Sequence, residues 1–334
     1  MKYRKMGRTG LKVSEIGFGC GNIGGLIIRG SRKERLEAVR LALELGINYF
    51  DTAPSYGDGR SETNLGRVLN ELESDIILAT KVRLSLGDLD DIPSAVCRSV
   101  EISLDRLYRE HVDVLQLHSR VALTRDAPEW PGALSVHDVL GENGVAEAFE
   151  DLRSRGLVRF IGFTGLGETA ALHRVVESGR FDVVQAYFNL LNPSAGYRVP
   201  QGFSGYNFEQ LIDKAAGIGM GVAAIRVMAA GAIGGEDSRK GHAAPTVRGS
   251  MVPGGEYEKD VVRARRLGFL IHGEVRSLPQ AALRFVLMHP GISTTLVGFS
   301  SVDQIQDAVS ATEQGSLPRI HMEQLKEFWG QSTL

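Results

Sequence analysis

The feature that most constrains this chain is a recurrence. A short apolar strand is followed by a segment with apolar residues at helical spacing, eight times over. The strands read as Ile16–Cys20, Tyr49–Asp51, Ile76–Lys81, Val112–His118, Phe160–Thr164, Val183–Tyr187, Gly221–Ile225 and Thr294–Val297. The first helix opens at Ser31, with Glu34 completing a capping box, and presents Leu36, Val39, Leu43 and Leu45 on one face. The remaining helices read as Ser61–Leu72 (Ser61 at the cap), Ile92–Leu107, Val145–Arg155, Thr169–Ser178, Phe208–Gly217, Leu278–Met288 and Val302–Thr312. Strands without polar interruption are buried on both faces, which points to a parallel sheet. Eight such units in 334 residues fit a closed (β/α)8 TIM barrel better than an open doubly wound sheet. An open sheet of that kind would carry a dinucleotide fingerprint on its first strand, but Gly17-Phe18-Gly19-Cys20-Gly21 is followed by Asn22, which breaks GxGxxG.

The rest of the chain decorates that barrel, and residues 1–334 are expected to form one domain. Residues 3–14 read as a small hairpin around Gly7-Arg8-Thr9-Gly10. Tyr257–Gly273 and Pro318–Trp329 read as additional helices outside the eight units. Three loops exceed the usual connection length: 119–144 with Trp130 and His137, 191–207 with Tyr197, Phe203 and Tyr206, and 231–255 with His242 and Arg248. All three follow strands, so all three lie over the same mouth of a barrel. Their aromatic residues either line a substrate pocket or anchor the loops.

Composition narrows the functional classes. A net charge of −2 with interspersed signs gives no basic stripe for nucleic acid or an anionic membrane. Two cysteines, Cys20 and Cys97, are too few for a disulfide framework. Cys20 ends the first strand, either as a reactive thiol or as a small packing residue, and Cys97 reads as a core position on a helix. The opening MKYRKMGRTG lacks the apolar core of a signal peptide, and no run of eighteen apolar residues occurs, so a cytoplasmic location is expected. His137, His173, His242, His272 and His289 show no ligand spacing, so no metal site is expected. The run 263–266, Arg-Ala-Arg-Arg, reads as a solvated helix face.

The strand ends carry the chemistry. Strand two ends at Asp51, with Tyr56 in the loop just beyond; strand three ends at Lys81 and strand four at His118. In a parallel barrel these ends are neighbours. Singly, each has an ordinary explanation: Asp51 and Lys81 as a rim ion pair, Tyr56 as a loop residue, His118 as a satisfied rim histidine. Together they form a proton-transfer site. A phenol of ordinary pKa near ~10 is a poor acid–base group at neutral pH. A neighbouring ammonium stabilises its phenolate and is expected to lower that value, while Asp51 holds the lysine and the histidine orients a carbonyl oxygen.

These residues carry a resemblance. The chain resembles the aldo-keto reductase superfamily over nearly its whole length, in GINYFDTAPSYG (46–57), ILATKV (77–82), DVLQLH (113–118), GLVRFIGFTG (156–165), VVQAYFN (183–189) and ALRFVLMHPGISTTLVGFSSVDQI (282–305). The resemblance implies a catalytic tetrad of Asp51, Tyr56, Lys81 and His118, with Tyr56 as general acid/base and the hairpin closing the barrel bottom. It implies an NAD or NADP cofactor and a small carbonyl or sugar substrate. Cofactor contacts then fall at Gly19, Cys20 and Asp51; at Thr164, where a serine usually bonds the nicotinamide amide, and Gly165, where the usual asparagine is missing; and at Gln185. They continue at Ile225, in place of a ring-stacking aromatic; at Arg226, toward the pyrophosphate; and at Gly298, Ser300, Ser301 and Gln304 around the adenosine phosphate. No Lys or Arg lies between Gly298 and Gln306, whereas Asp303 does, a mild argument for NAD over NADP. The alternative within the same fold is a regulatory subunit that binds NAD(P)H and senses redox state for a partner protein.

Overall fold

The structure, a computed structural model, describes residues 1–234, 241–247 and 251–331; Arg248 of the third mouth loop lies outside the described residues. Twelve strands occur among them. A hairpin, β1 (Tyr3–Lys5) and β2 (Lys12–Ser14), precedes β3 (Ile16–Gly19), β4 (Tyr49–Asp51), β5 (Ile77–Val82) and β6 (Val112–Leu117). A two-stranded ribbon, β7 (Val121–Ala122) and β8 (Leu134–Ser135), is followed by β9 (Val158–Gly165), β10 (Val183–Tyr187), β11 (Gly221–Ile225) and β12 (Thr294–Gly298). Eight of these, β3 to β6 and β9 to β12, close into a parallel barrel in chain order, with β12 pairing back onto β3. The expected (β/α)8 barrel is therefore the architecture.

The strand period of two explains why the site lies where it does. On the inner face, Tyr49, Ala79, Val114, Val183, Ala223 and Leu296 form an apolar layer, joined by Ile77, Phe160 and Ile225. The hairpin residues Met6, Leu11 and Val13 enter this layer from below and plug the barrel. The alternate residues, among them Phe18, Phe50, Leu78, Leu115, Phe163, Val184 and Val222, face the surrounding helices in a second, larger core. Stepping by two along the inner face toward the strand ends, the side chains turn polar: Asp51, Lys81, Gln116, Thr164 and Gln185. The apolar plug thus forms the floor of a polar chamber at the C-terminal mouth.

Local differences from the sequence reading have local causes. The second barrel helix is Arg60–Glu71, capped by Gly59 at φ 83° with no side-chain cap. Ser61 lies inside it and is fully buried, its hydroxyl donating to the Cys20 carbonyl at 2.9 Å. The first mouth loop is not structureless. It holds the β7–β8 ribbon and a short helix, Val136–Leu140, opened by a capping box between Ser135 and Asp138. The helix expected from Phe208 starts only at Leu211, because Glu209 and Gln210 both take positive φ. The first helix buries Ala38, Val39 and Ala42, while Leu36, Leu43 and Leu45 pack at its margin. Cys97 is only half-buried, with its thiol 3.3 Å from Glu101. Arg263 departs from a solvated face, reaching inward to the Leu191 carbonyl at 3.1 Å.

Candidate active site

Asp51, Lys81 and the loop bearing Tyr56 meet at the ends of β4 and β5. Lys81 is fully buried and donates to Asp51 at 2.6 Å and to the Thr52 carbonyl at 2.8 Å. The other Asp51 oxygen accepts from Gln185 at 2.6 Å and from Gln116 at 3.4 Å. Burial works to neutralise both charges, and their mutual attraction offsets it. Burial raises the Asp51 carboxyl, with Lys81 and the two amides pulling it back. Burial also opposes the charge on Lys81, but Asp51 and the Tyr56 hydroxyl outweigh it and raise its pKa, so the ammonium stays protonated.

Tyr56 sits over this pair, with Lys81 Nζ 4.8 Å from its ring centroid. Its loop is held by Asn22, whose side-chain oxygen accepts from the Gly57 amide at 2.9 Å. Burial pushes the phenol up, Lys81 draws it down, and the net shift is upward. This corrects the expectation from sequence that the ammonium would lower it: in a pocket this dry, desolvation of the phenolate is the larger effect. His118 stands edge-on to Tyr56 with ring centroids 5.6 Å apart. Burial, followed by the charges of Lys81 and Arg83, drives its pKa well below the usual histidine value, so the ring is neutral. Its Nδ1 lies 3.4 Å from the Ser55 hydroxyl, a neighbour that no sequence signal marks.

The remaining expected residues ring the same mouth. Thr164 is 1% exposed and its hydroxyl has no hydrogen-bond partner; the Gln116 side-chain oxygen is likewise unpartnered. Gln116 was missed from sequence, although it precedes His118 by two residues and so shares its face. Gly165 has a packing reason to be glycine: a Cβ there would stand 2.9 Å from the Gln185 carbonyl. The Cys20 side chain is 2% exposed and belongs to the core outside the barrel, and burial raises its pKa. That withdraws it from the mouth as a thiol and makes it a packing residue. Ile225 ends β11 opposite Tyr187. Arg226 follows at φ 59°, and its charge acts on Tyr56, Tyr187 and Asp260.

Gly19 ends β3 beside Gly298 of β12. Gly24 packs so tightly on that strand end that a Cβ would fall 2.5 Å from the Gly298 backbone. Ser300 gives its amide and its hydroxyl to the Gln304 side chain at 2.8 and 3.2 Å, and Ser301 is half-buried beside them. Residues 241–247 of the third mouth loop lie against this corner. The His242 amide donates to the Ser300 carbonyl at 2.9 Å, and Arg29 donates to the His242 carbonyl at 2.7 Å and the Asn22 carbonyl at 2.6 Å. The fold thus brings a cation, Arg29, near a corner whose own sequence has none. The loop aromatics act as anchors. Trp130 is buried edge-on to Tyr206, Tyr206 donates to the Gly167 carbonyl, and Tyr197 stacks on Trp329. Among the described residues no group of three or more potential ligands is placed to hold a metal ion, and no helix is long and apolar enough to cross a membrane.

Residues 15–329 match the family model described as "Aldo/keto reductase family". The chain belongs to the aldo/keto reductase family. Its relatives include L-galactose dehydrogenase of Arabidopsis thaliana, 30% identical over 95% of this chain and 90% of that protein. A putative voltage-gated potassium channel subunit beta of Schizosaccharomyces pombe is 27% identical over 93% of this chain and 88% of its own length. Among solved structures, an aldo-keto reductase from Bacillus halodurans in its holo form superposes with a TM-score of 0.69 at 27% identity, covering 100% of this chain and 98% of that one. Aldo/keto reductases use NAD(P)(H). The mouth suits such a cofactor on its own evidence: the Thr164 hydroxyl at a strand end is buried without a hydrogen-bond partner, and the Gly298 backbone is exposed beside Gly19.

Proposed function

We propose that this chain is an NAD(P)(H)-dependent oxidoreductase that interconverts a carbonyl (aldehyde, ketone or sugar) with an alcohol, using Tyr56 as general acid/base. The observation that carries this reading is the buried Lys81–Asp51 pair beneath the Tyr56 ring, with neutral His118 across from it. The cofactor, when bound, supplies or accepts the hydride at the substrate carbon. Thr164 and Gln185 are the residues to hold its carboxamide, and Gly298, Ser300, Ser301 and Gln304 its adenosine end.

The proton chemistry belongs to the chain. In the reducing direction the Tyr56 hydroxyl gives its proton to the substrate oxygen, leaving a phenolate that Lys81 stabilises. Asp51 keeps Lys81 protonated and fixed, so no charge has to be assembled during the step. His118, neutral, donates an N–H to the same oxygen and sets its position between the two rings. The Tyr56 phenol, raised by burial, holds its proton at neutral pH, the form the reducing direction needs, and Lys81 offsets part of the cost of giving it up. The relative named L-galactose dehydrogenase supports a sugar or polyol as substrate and the oxidising direction as the one to assay beside it.

The test is Tyr56→Phe. Turnover should fall by about 10²- to 10⁴-fold, the range for loss of a positioned proton donor. The circular dichroism spectrum and quenching of NADH or NADPH fluorescence should be retained. Near-normal turnover would sink the mechanism. The same titration of NADH against NADPH identifies the cofactor. The relative named as a channel beta subunit raises the regulatory reading. That reading requires cofactor binding without turnover of any aldehyde, ketone or sugar.

A further inference from the structure

The proton chemistry leaves one charged feature of the mouth unused. Beyond β5, Arg83 follows Lys81 by two residues; beyond β6, Arg120 follows His118 by two. The two chains keep company past the end of the barrel. The His118 amide donates to the Val82 carbonyl at 2.7 Å, the Leu84 amide donates to the Ser119 hydroxyl at 3.0 Å, and that hydroxyl donates to the Leu84 carbonyl at 3.3 Å. Leu84 and Ser119 are buried, on the side away from the mouth. Past the strand ends the burial still alternates: Val82, Leu84, Leu117 and Ser119 are buried, while Arg83 is exposed and His118 and Arg120 are half-buried, so these three lie on the side that carries Lys81 and Gln116.

The two guanidiniums are supported differently. Arg120 is half-buried and lies 5.6 Å from the centroid of the Trp130 ring, which is itself 2% exposed and braced by Tyr206. Arg83 is exposed, and among the described residues no carboxylate pairs with it. The two like charges act on each other, and that of Arg83 acts on His118. The Arg83 charge, with no carboxylate beside it, is unfavourable alone at the rim of the mouth and favourable once an anion arrives.

We propose that Arg83, with Arg120 behind it, receives an oxyanion of the substrate, so that the preferred substrate is a carbonyl compound bearing a carboxylate or phosphate. This rests on the reading of Tyr56 and His118 as the groups that hold the carbonyl oxygen. A guanidinium presents a planar pair of donors that matches either oxyanion, and at the mouth it fixes which end of the substrate enters first. Arg120, stacked on a buried ring, is the stationary member; Arg83 is the one that closes on the ligand.

The experiment compares carbonyl substrates with and without an attached oxyanion. In the wild type, kcat/KM for 4-formylbenzoate over benzaldehyde, or for glyceraldehyde 3-phosphate over glyceraldehyde, should exceed about 10 in at least one pair, the effect of one charge-assisted hydrogen bond. The pair with the larger ratio identifies carboxylate or phosphate. In Arg83→Gln that ratio should collapse toward one, and Arg83→Lys should restore part of it. A ratio near one in both pairs, or one that Arg83→Gln leaves intact, overturns the proposal. Failure to turn over any carbonyl would instead count against the proposed function. The anion site is then decided by titrating benzoate and inorganic phosphate against the His118 ring resonances of the wild type and Arg83→Gln: tighter binding to the wild type supports it, and equal or absent binding overturns it.

Discussion

Two groups of one site have pKa values moved from the ordinary ones, with separate consequences. Tyr56 is raised by burial against the pull of Lys81, and His118 is lowered by burial with help from Lys81 and Arg83. Both shifts favour the uncharged form, the common effect of a pocket lined by buried side chains. The consequences carry signs that can be measured. A histidine whose folded-state pKa lies below its unfolded value of 6.5 binds fewer protons folded than unfolded as pH falls past 6.5. Stability then rises with pH across that region and is lost below it. The urea midpoint of the wild type should fall between about pH 7 and about pH 5, and His118→Gln should flatten that slope. Reduction rates, in contrast, should show no inflection near 6.5, because His118 stays neutral on both sides of it.

At the scale of elements, the site depends on keeping neighbouring strand ends in register. Ser61 does part of this. Its hydroxyl donates to the Cys20 carbonyl just past β3 and lies 2.8 Å from the Thr52 hydroxyl just past β4, all three residues being buried. Ser61→Ala leaves a carbonyl and a hydroxyl without their partner in a dry place. Chemical denaturation should show a loss of about 1–3 kcal/mol, the cost of buried unsatisfied groups. An N-cap role, as its place near the helix start suggested, would not strand the Cys20 carbonyl. The cap itself is Gly59, whose φ of 83° answers to the turn that carries Tyr56 rather than to the helix. Sequence logic for helix starts misread Ser61 because a serine in the first turn of a helix can have tertiary partners that no local pattern displays.

For the whole molecule, the barrel works because its two ends are built differently. The hairpin plugs the floor with Met6, Leu11 and Val13, and Arg4 fastens it by donating to the carbonyls of Leu287 and Ile292 at 2.6 and 3.0 Å. Gly7 makes the closest approach: at φ 50°, a Cβ there would fall 2.3 Å from the Gly221 amide nitrogen at the start of β11. Gly7→Ala has to lift the plug, and thermal or urea unfolding should register about 1–3 kcal/mol of lost stability, as for overpacking of a core. The mutation lies at the opposite end of the barrel from Tyr56, so kcat should be preserved while the midpoint falls.

The division between what was legible and what was not follows from range. Eight strand–helix units, their parallel closure and the positions of Asp51, Tyr56, Lys81 and His118 were legible, because strand burial and strand-end placement are written in local periods of two and 3.6 residues. The sequence by itself determined that Asp51, Tyr56, Lys81 and His118 stand at the C-terminal mouth. Only the tertiary structure decided how much water they keep, and hence that the Tyr56 phenol rises where a neighbouring lysine alone would lower it. Tertiary structure likewise placed Gln116 and Gln185 on Asp51, Ser55 beside His118, Arg29 under the His242 loop and Arg83 next to Arg120. Each of those pairings joins separate elements or depends on a loop's path. Desolvation and charge pairing across a barrel mouth are properties of the assembled shape, and no window of sequence contains them.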